Sequence, residues 1–69
     1  MFFGYTNPEE YAKFIMSLYP IREADAFLRG QKTWAEHCFK HGANVDINTV
    51  TYLERAHWEL IEHVQRTSK

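Results

Sequence analysis

Histidine and glutamate spacing is the feature of this sequence from which metal chemistry would be expected. His37 and His41 are four residues apart, so on a helix both imidazoles would face one side and could reach one ion. Glu54 and His57 have the Glu-x-x-His spacing that di-iron carboxylate bundles use on paired helices. The residue expected opposite His57 is Gln31, however, and not the carboxylate that such a centre needs. We therefore expect no metal and no other cofactor, and a His/Glu metal-binding helical bundle remains an alternative.

A thiol and an imidazole lie three residues apart at Cys38 and His41. Nucleophilic catalysis would also need a lowered thiol pKa, an oxyanion site and a group that orients the base. Cys38 instead falls on an apolar stripe, where a cysteine behaves as a small hydrophobic residue. Gly4, Gly30 and Gly42 are isolated, so the sequence has no glycine-rich loop of the kind that cradles phosphate. These patterns predict a protein that is not an enzyme.

The charge of the chain is nearly balanced, with 8 lysines and arginines against 9 acidic residues and a formal net charge of −1. Nucleic-acid binders usually carry a clear basic excess or a basic face, so this class is disfavoured. Arg29, Lys32 and Lys40 would still form a modest basic strip on one helix. A small nucleic-acid-linked regulator is therefore the second alternative.

The compartment can be read from the single cysteine and from the apolar runs. Cys38 has no possible partner for an intrachain disulfide, and an unpaired cysteine without a signal peptide fits a reducing environment. No uncharged apolar run approaches the roughly 20 residues that span a bilayer. We expect a cytoplasmic protein with no membrane segment.

The elements that must position these residues are helices. We predict a single helical domain with helices over residues 8–18, 20–41 and 47–66. Asn7 can cap the first helix and Pro8 suits its first position. Because the residue before a proline is pushed out of the helical region, Tyr19 before Pro20 should end this helix.

The second and third helices have their own boundary signals. Gly42 is typical of the residue just beyond a helix end, and either Asp46 or Asn48 would cap the third helix. Gly30 is the weak point of the second helix, since glycine costs about 1 kcal/mol relative to alanine. We expect the helix to continue through it.

The short connection predicts that the two long helices pack antiparallel as a hairpin. Folding the hairpin about Asn44 places small residues opposite large ones in most layers, which suits a close-packed seam. The predicted apolar pairs are Cys38 with Val50, Ala35 with Leu53, Leu28 with Leu60, and Ala24 with Val64. The central layer is polar and pairs Gln31 with His57, which could hydrogen-bond each other and fix the register.

The apolar stripes are wider than a two-helix seam requires. A stripe of 100° or more implies more than one packing neighbour, and the first helix can cover only part of this surface. We therefore expect a homodimer in which two hairpins form a four-helix-type bundle. The predicted dimer residues are Phe27, Trp34, Phe39 and Ile61. The competing arrangement is a monomeric three-helix bundle with the first helix folded back.

Aromatic residues outside the seam indicate a recognition surface, because Trp, Tyr and Arg dominate interface hot spots. The residues predicted to contact a partner are Trp58, Tyr52, Arg55 and Glu62. Phe2 and Phe3 precede any helix and would either tuck against the hairpin or enlarge this surface. The sequence thus predicts an all-α, non-enzymatic interaction module, an adaptor, regulator or inhibitor of a larger protein.

Overall fold

The chain is all-helical in a computed structural model that describes residues 4–67. The three helices are α1 (Pro8–Leu18), α2 (Ile21–Lys40) and α3 (Ile47–Thr67). Their boundaries lie within one residue of the ranges expected from the sequence. None of these helices is long and apolar enough to cross a membrane.

Helix α1 begins and ends where its sequence signals lie. The Asn7 side chain accepts a hydrogen bond from the backbone N–H of Glu9 at 2.9 Å, which satisfies one of the free donors of the first turn. Tyr19 is extended, with φ −135° and ψ 152°, as the following proline requires. The chain therefore turns sharply between α1 and α2.

Helix α2 runs without a break through Gly30 and ends in a complete Schellman motif. Gly42 has a φ of 76°, the left-handed conformation that glycine adopts without steric cost. The Ala43 N–H donates to the Cys38 carbonyl at 2.8 Å, and the Gly42 N–H donates to the Phe39 carbonyl at 3.2 Å. The predicted helix end at Gly42 is confirmed.

Of the two caps that the sequence allowed for α3, Asp46 is the one that forms. Its carboxylate accepts hydrogen bonds from the Thr49 N–H at 2.9 Å and from the Thr49 hydroxyl at 3.0 Å. These hydrogen bonds favour the charged form and hold the pKa of Asp46 below its usual range. Val45 packs against the core directly before the cap, at the spacing from Val50 that a hydrophobic staple requires.

The core is a narrow strip where the three helices meet. Leucines and alanines of α2 and α3 dominate it, together with one face of α1. The buried residues are Tyr11, Ala12, Ile15, Ala24, Leu28, Ala35, Cys38, Val50, Leu53, Ala56 and Leu60. Helix α1 folds back and packs more extensively on α3 than on α2.

The dimensions of the chain limit what this core can cover. The molecule measures 42 × 20 × 18 Å, so its thickness is about two helix diameters. A body of that thickness leaves one side of each helix at the surface. Large hydrophobic side chains on those sides therefore remain exposed in a single copy.

Candidate interaction surfaces

Gln31 and His57, the polar residues of the predicted central layer, are each bonded to a different residue. The Tyr11 hydroxyl of α1 donates to the Gln31 side-chain carbonyl at 2.7 Å. The His57 ring nitrogen Nε2 lies 2.8 Å from a carboxylate oxygen of Asp25. The expectation that Gln31 and His57 could bond each other is thereby corrected. Gln31 bonds Tyr11 of α1, which the hairpin register left out, and His57 bonds Asp25, which lies six residues before Gln31 on α2.

These two contacts connect all three helices. Tyr11 joins α1 to α2, and His57 joins α3 to α2. Burial raises the pKa of the Tyr11 phenol, since an apolar environment disfavours the phenolate. The sequence gives little sign of these roles, because Tyr11 has the spacing of an apolar stripe with Phe14 and Leu18, and Asp25 is an acid near a helix start.

Tyr52, predicted to contact a partner, is half-buried and is hydrogen-bonded within the chain. Its hydroxyl lies 3.1 Å from the carbonyl oxygens of Tyr5 and Asn7, to which it donates. Its ring centre lies 5.9 Å from that of Tyr11, and the side chain packs against the core. Tyr52 therefore anchors the segment before α1 to α3, and we omit it from the partner surface proposed below.

A groove lined mostly by aromatic and apolar side chains separates α1 from α2. We call it the aromatic groove, and its walls are Tyr5, Phe14, Leu18, Tyr19 and Phe27, with Tyr11, Ile15 and Gln31 at its base. Its volume is about 380 Å³. Tyr19 and Phe27 stack across it with ring centres 5.7 Å apart. The predictions for Phe2 and Phe3 lie outside the described residues.

The side of α2 that faces away from the core carries a second apolar feature beside this groove. We call it the outer face of α2, and it consists of Glu23, Ala26, Gly30, Trp34 and His37, which recur at three- and four-residue intervals and are all exposed. Trp34 is 67% exposed and stacks on the His37 ring at a centre distance of 5.7 Å. A Cβ atom added at Gly30 would meet nothing within 4 Å, so packing inside this chain does not require a glycine there.

The basic residues of α2 lie on a different side of the helix. Arg29 forms an ion pair with Asp25 at 2.7 Å, and Lys32 lies 4.0 Å from Glu36. The basic strip expected from the sequence is thus interleaved with carboxylates. Such i,i+4 pairs reduce the positive charge that a phosphate backbone would attract.

Trp58 lies on α3 and does not line the aromatic groove. It is 55% exposed, and Arg55 and Glu62 are exposed beside it on α3. A shallow groove between α2 and α3 lies next to this surface and is lined in part by Ile21, Ile61 and Val64. We call Trp58, Arg55, Glu62 and Ile61 the Trp58 surface.

The four residues predicted to form one dimer interface therefore divide between two sides of the hairpin. Phe27 and Trp34 lie on the side of α1, whereas Ile61 lines the groove between α2 and α3. Phe39 follows Ile21 by five full helical turns and so shares that second side. One dimer contact between two helices would reach the first pair but not the second.

The residues considered for metal or nucleophile chemistry are scattered in the described part of the chain. His37 and His41 have ring centres 4.4 Å apart, whereas Glu54 is exposed on α3 and His57 is engaged by Asp25. Residues 4–67 contain no group of three or more His, Cys, Asp or Glu side chains that could hold an ion. Cys38 is free and buried in the hairpin seam.

The described residues present two separate regions with exposed hydrophobic side chains. One is the aromatic groove with the outer face of α2, and the other is the Trp58 surface. No protein-family model matches this chain, and no curated protein or solved structure shows significant similarity to it.

Proposed function

We propose that this chain is a small, non-enzymatic interaction module that acts as a homodimer and binds a larger protein through the Trp58 surface. An adaptor, a regulator or an inhibitor would work in this way. The free, buried thiol of Cys38 suits a reducing compartment, so we place the protein in the cytoplasm.

The single observation that carries the proposal is the placement of the large hydrophobic side chains. In the described part of the chain, nine of them are at least 39% exposed: Phe14, Leu18, Tyr19, Ile21, Phe27, Trp34, Phe39, Ile47 and Trp58. Burying one such side chain contributes roughly 1.5–3 kcal/mol. A chain of 69 residues has little stability to spare, so contact with another surface would bring a gain that its own core does not provide.

The two apolar regions support two separate contacts. The groove side offers a surface with several large aromatic side chains and little charge, which is typical of contacts between copies of one chain. The Trp58 surface instead has one large aromatic residue with the charged side chains of Arg55 and Glu62 beside it. A central aromatic anchor with a polar rim is the usual composition of a hot spot in a contact between different proteins.

The two alternative functions have less support from side-chain contacts. A metal site built on Glu54 and His57 would have to displace the Asp25 carboxylate from His57. A nucleic-acid contact through Arg29 and Lys32 would compete with their carboxylate partners. We therefore retain the interaction module as the proposal.

Site-specific photo-cross-linking in cells that normally make the protein tests this proposal. A benzophenone amino acid would replace Trp58 in one variant and Phe27 in a second, and Lys13 would serve as the control, because it is exposed on α1 away from both surfaces. We expect a discrete adduct with a larger polypeptide from position 58, an adduct of twice the chain mass from position 27, and neither from position 13. Identical weak smears from all three positions would contradict the proposal.

A further inference from the structure

Helix α2 is divided lengthwise into a charged side and a side that is almost without charge. Asp25, Arg29, Lys32 and Glu36 form one stripe of paired charges. The outer face of α2 has Glu23 as its only acid and no lysine or arginine. Charged residues, above all Lys and Glu, are depleted at the centre of protein interfaces. The outer face therefore has the composition of an interface, and the charged stripe has the composition of a solvent-exposed surface.

We infer that the outer face of α2 is where two copies of this chain meet, with their α2 helices antiparallel and crossing at Gly30. In this arrangement Trp34 of each copy packs against Ala26 of the partner subunit, at the edge of that subunit's aromatic groove. The inference rests on the proposed function, because it specifies the partner and the geometry of one of its two contacts.

The outer face of α2 is complementary to a second copy of itself, because its residues match when the face is read in reverse about Gly30. Two-fold symmetry with antiparallel helices pairs residues that are equally far from the crossing point, one before it and one after it. Ala26 and Trp34 are each four residues from Gly30, so the smallest side chain of the face meets the largest. Such alternation of small and large is how closely packed helices interdigitate.

The polar ends of the face are complementary in the same register. Glu23 and His37 are each seven residues from Gly30, so the Glu23 carboxylate of one copy would accept a hydrogen bond from His37 of the partner subunit. Both side chains are exposed in the single chain. Since the face carries no lysine or arginine, no like basic charges are brought together.

This arrangement explains why residue 30 is a glycine. Glycine lowers the stability of a helix interior relative to alanine, and no atom of this chain crowds the position. Where two helices cross, a residue without a side chain allows the backbones to approach closely. Gly30 then lies on the symmetry axis and faces Gly30 of the partner subunit.

Disulfide formation between introduced cysteines tests this register. Two copies of Gly30→Cys would meet at the axis, within the roughly 4–7 Å between Cα atoms that a disulfide requires. Two copies of Thr33→Cys would be separated by six residues along the helix, about 9 Å, in addition to the distance between the helices. We expect oxidation to convert Gly30→Cys to a covalent dimer, whereas Thr33→Cys and the natural chain with its own Cys38 stay uncross-linked. Equal cross-linking of the two variants, or none with Gly30→Cys, would overturn the register.

The two tryptophans provide a matched pair for the dimer affinity, because both are exposed and they lie on different sides of the molecule. Trp34→Ala should weaken the dimer about 30-fold or more by sedimentation while retaining helicity. Trp58→Ala should change the dimer Kd less than about threefold, since most interface-remote substitutions are near neutral. Equal effects of the two substitutions, or a larger effect of Trp58→Ala, would overturn the inference.

Failure of this inference is distinguishable from failure of the proposed function. If the natural chain stays monomeric and a cross-linker at Phe27 captures a foreign polypeptide, the second copy is wrong as the occupant of this face. The adduct from position 58 would still identify an interaction module. If position 58 gives no adduct but Gly30→Cys cross-links, the dimer stands and the larger partner is wrong.

Discussion

The two sides of α2 show how side-chain size decides whether neighbouring helices close or stay apart. On the side of α3, Ala24, Leu28 and Ala35 meet Ala56 and Leu60, and all five are buried. On the side of α1, Phe14, Leu18 and Phe27 are bulky and remain partly exposed around a groove. Alanines allow close approach of the backbones, whereas large side chains on facing helices hold them apart. Apolar content alone therefore does not make a core; the sizes of the facing side chains must also allow the helices to approach.

We expect the greatest difference in unfolding free energy between replacing a leucine at the contact of α2 with α3 and replacing a leucine beside the aromatic groove. Leu60→Ala removes a side chain that is 0% exposed and should cost about 2–5 kcal/mol of unfolding free energy. Leu18→Ala removes the same atoms from a residue that is 56% exposed and should cost less than about 1 kcal/mol. Urea unfolding at low protein concentration measures both. Similar losses in the two variants would remove the distinction between the two sides.

The next effect concerns the hydrogen bond that joins α1 to α2. Tyr11→Phe keeps the ring but removes the donor to Gln31, and should cost about 1 kcal/mol. Tyr19→Phe is the matched control, because Tyr19 is a partly exposed tyrosine on the rim of the groove. Thermal unfolding should show a lower Tm for Tyr11→Phe alone. A larger loss for Tyr19→Phe would show that the groove rim, not Tyr11, holds α1 in place.

A smaller effect is expected from acid at the start of α3. The folded state holds the pKa of Asp46 below its unfolded value, because the carboxylate accepts hydrogen bonds from Thr49. Its stabilising contribution is therefore present at neutral pH and is lost as pH falls below about 4, through the folded pKa. Asp46→Asn keeps a capping oxygen without the titration, so its unfolding free energy should depend less on pH between about 5 and 2. Equal acid sensitivity of the two proteins would contradict this role for Asp46.

The smallest expected effect on stability is that of Trp58→Ala. Trp58 is more than half exposed, so its loss should change the free energy of unfolding by less than about 0.5 kcal/mol. Circular dichroism and urea unfolding should match those of the natural chain, while binding to the larger polypeptide that position 58 captures is lost. A marked loss of helicity would instead assign Trp58 to packing within the chain.

The helices could be read from the sequence because their signals are local. Pro8 and Pro20 restrict the backbone, and Gly42 allows a left-handed conformation, whatever surrounds them; the structure places helix boundaries at all three. The predicted buried residues of the seam follow from a helical period in the same way. Local rules of this kind are strong where one residue and its immediate neighbours decide the outcome.

The contacts between helices could not be read in the same way. Gln31 was expected to bond His57 because both occupy one layer of the hairpin, yet Tyr11 of α1 bonds Gln31. Tyr52 was expected at the surface because it lies off the seam, yet the segment before α1 passes over it and accepts its hydrogen bonds. In both cases the angle at which α1 and the segment before it pack against the hairpin decides which residues form hydrogen bonds. A helical period carries no information about that angle.

The central claim is that the chain covers the apolar side of α1 and α2 by pairing with a copy of itself. Light scattering coupled to size-exclusion chromatography, over a range of loading concentrations, tests it most directly. We expect a mass of twice the chain's 8.2 kDa that falls towards 8.2 kDa on dilution. A mass of 8.2 kDa at every concentration, with the helices intact, would contradict it.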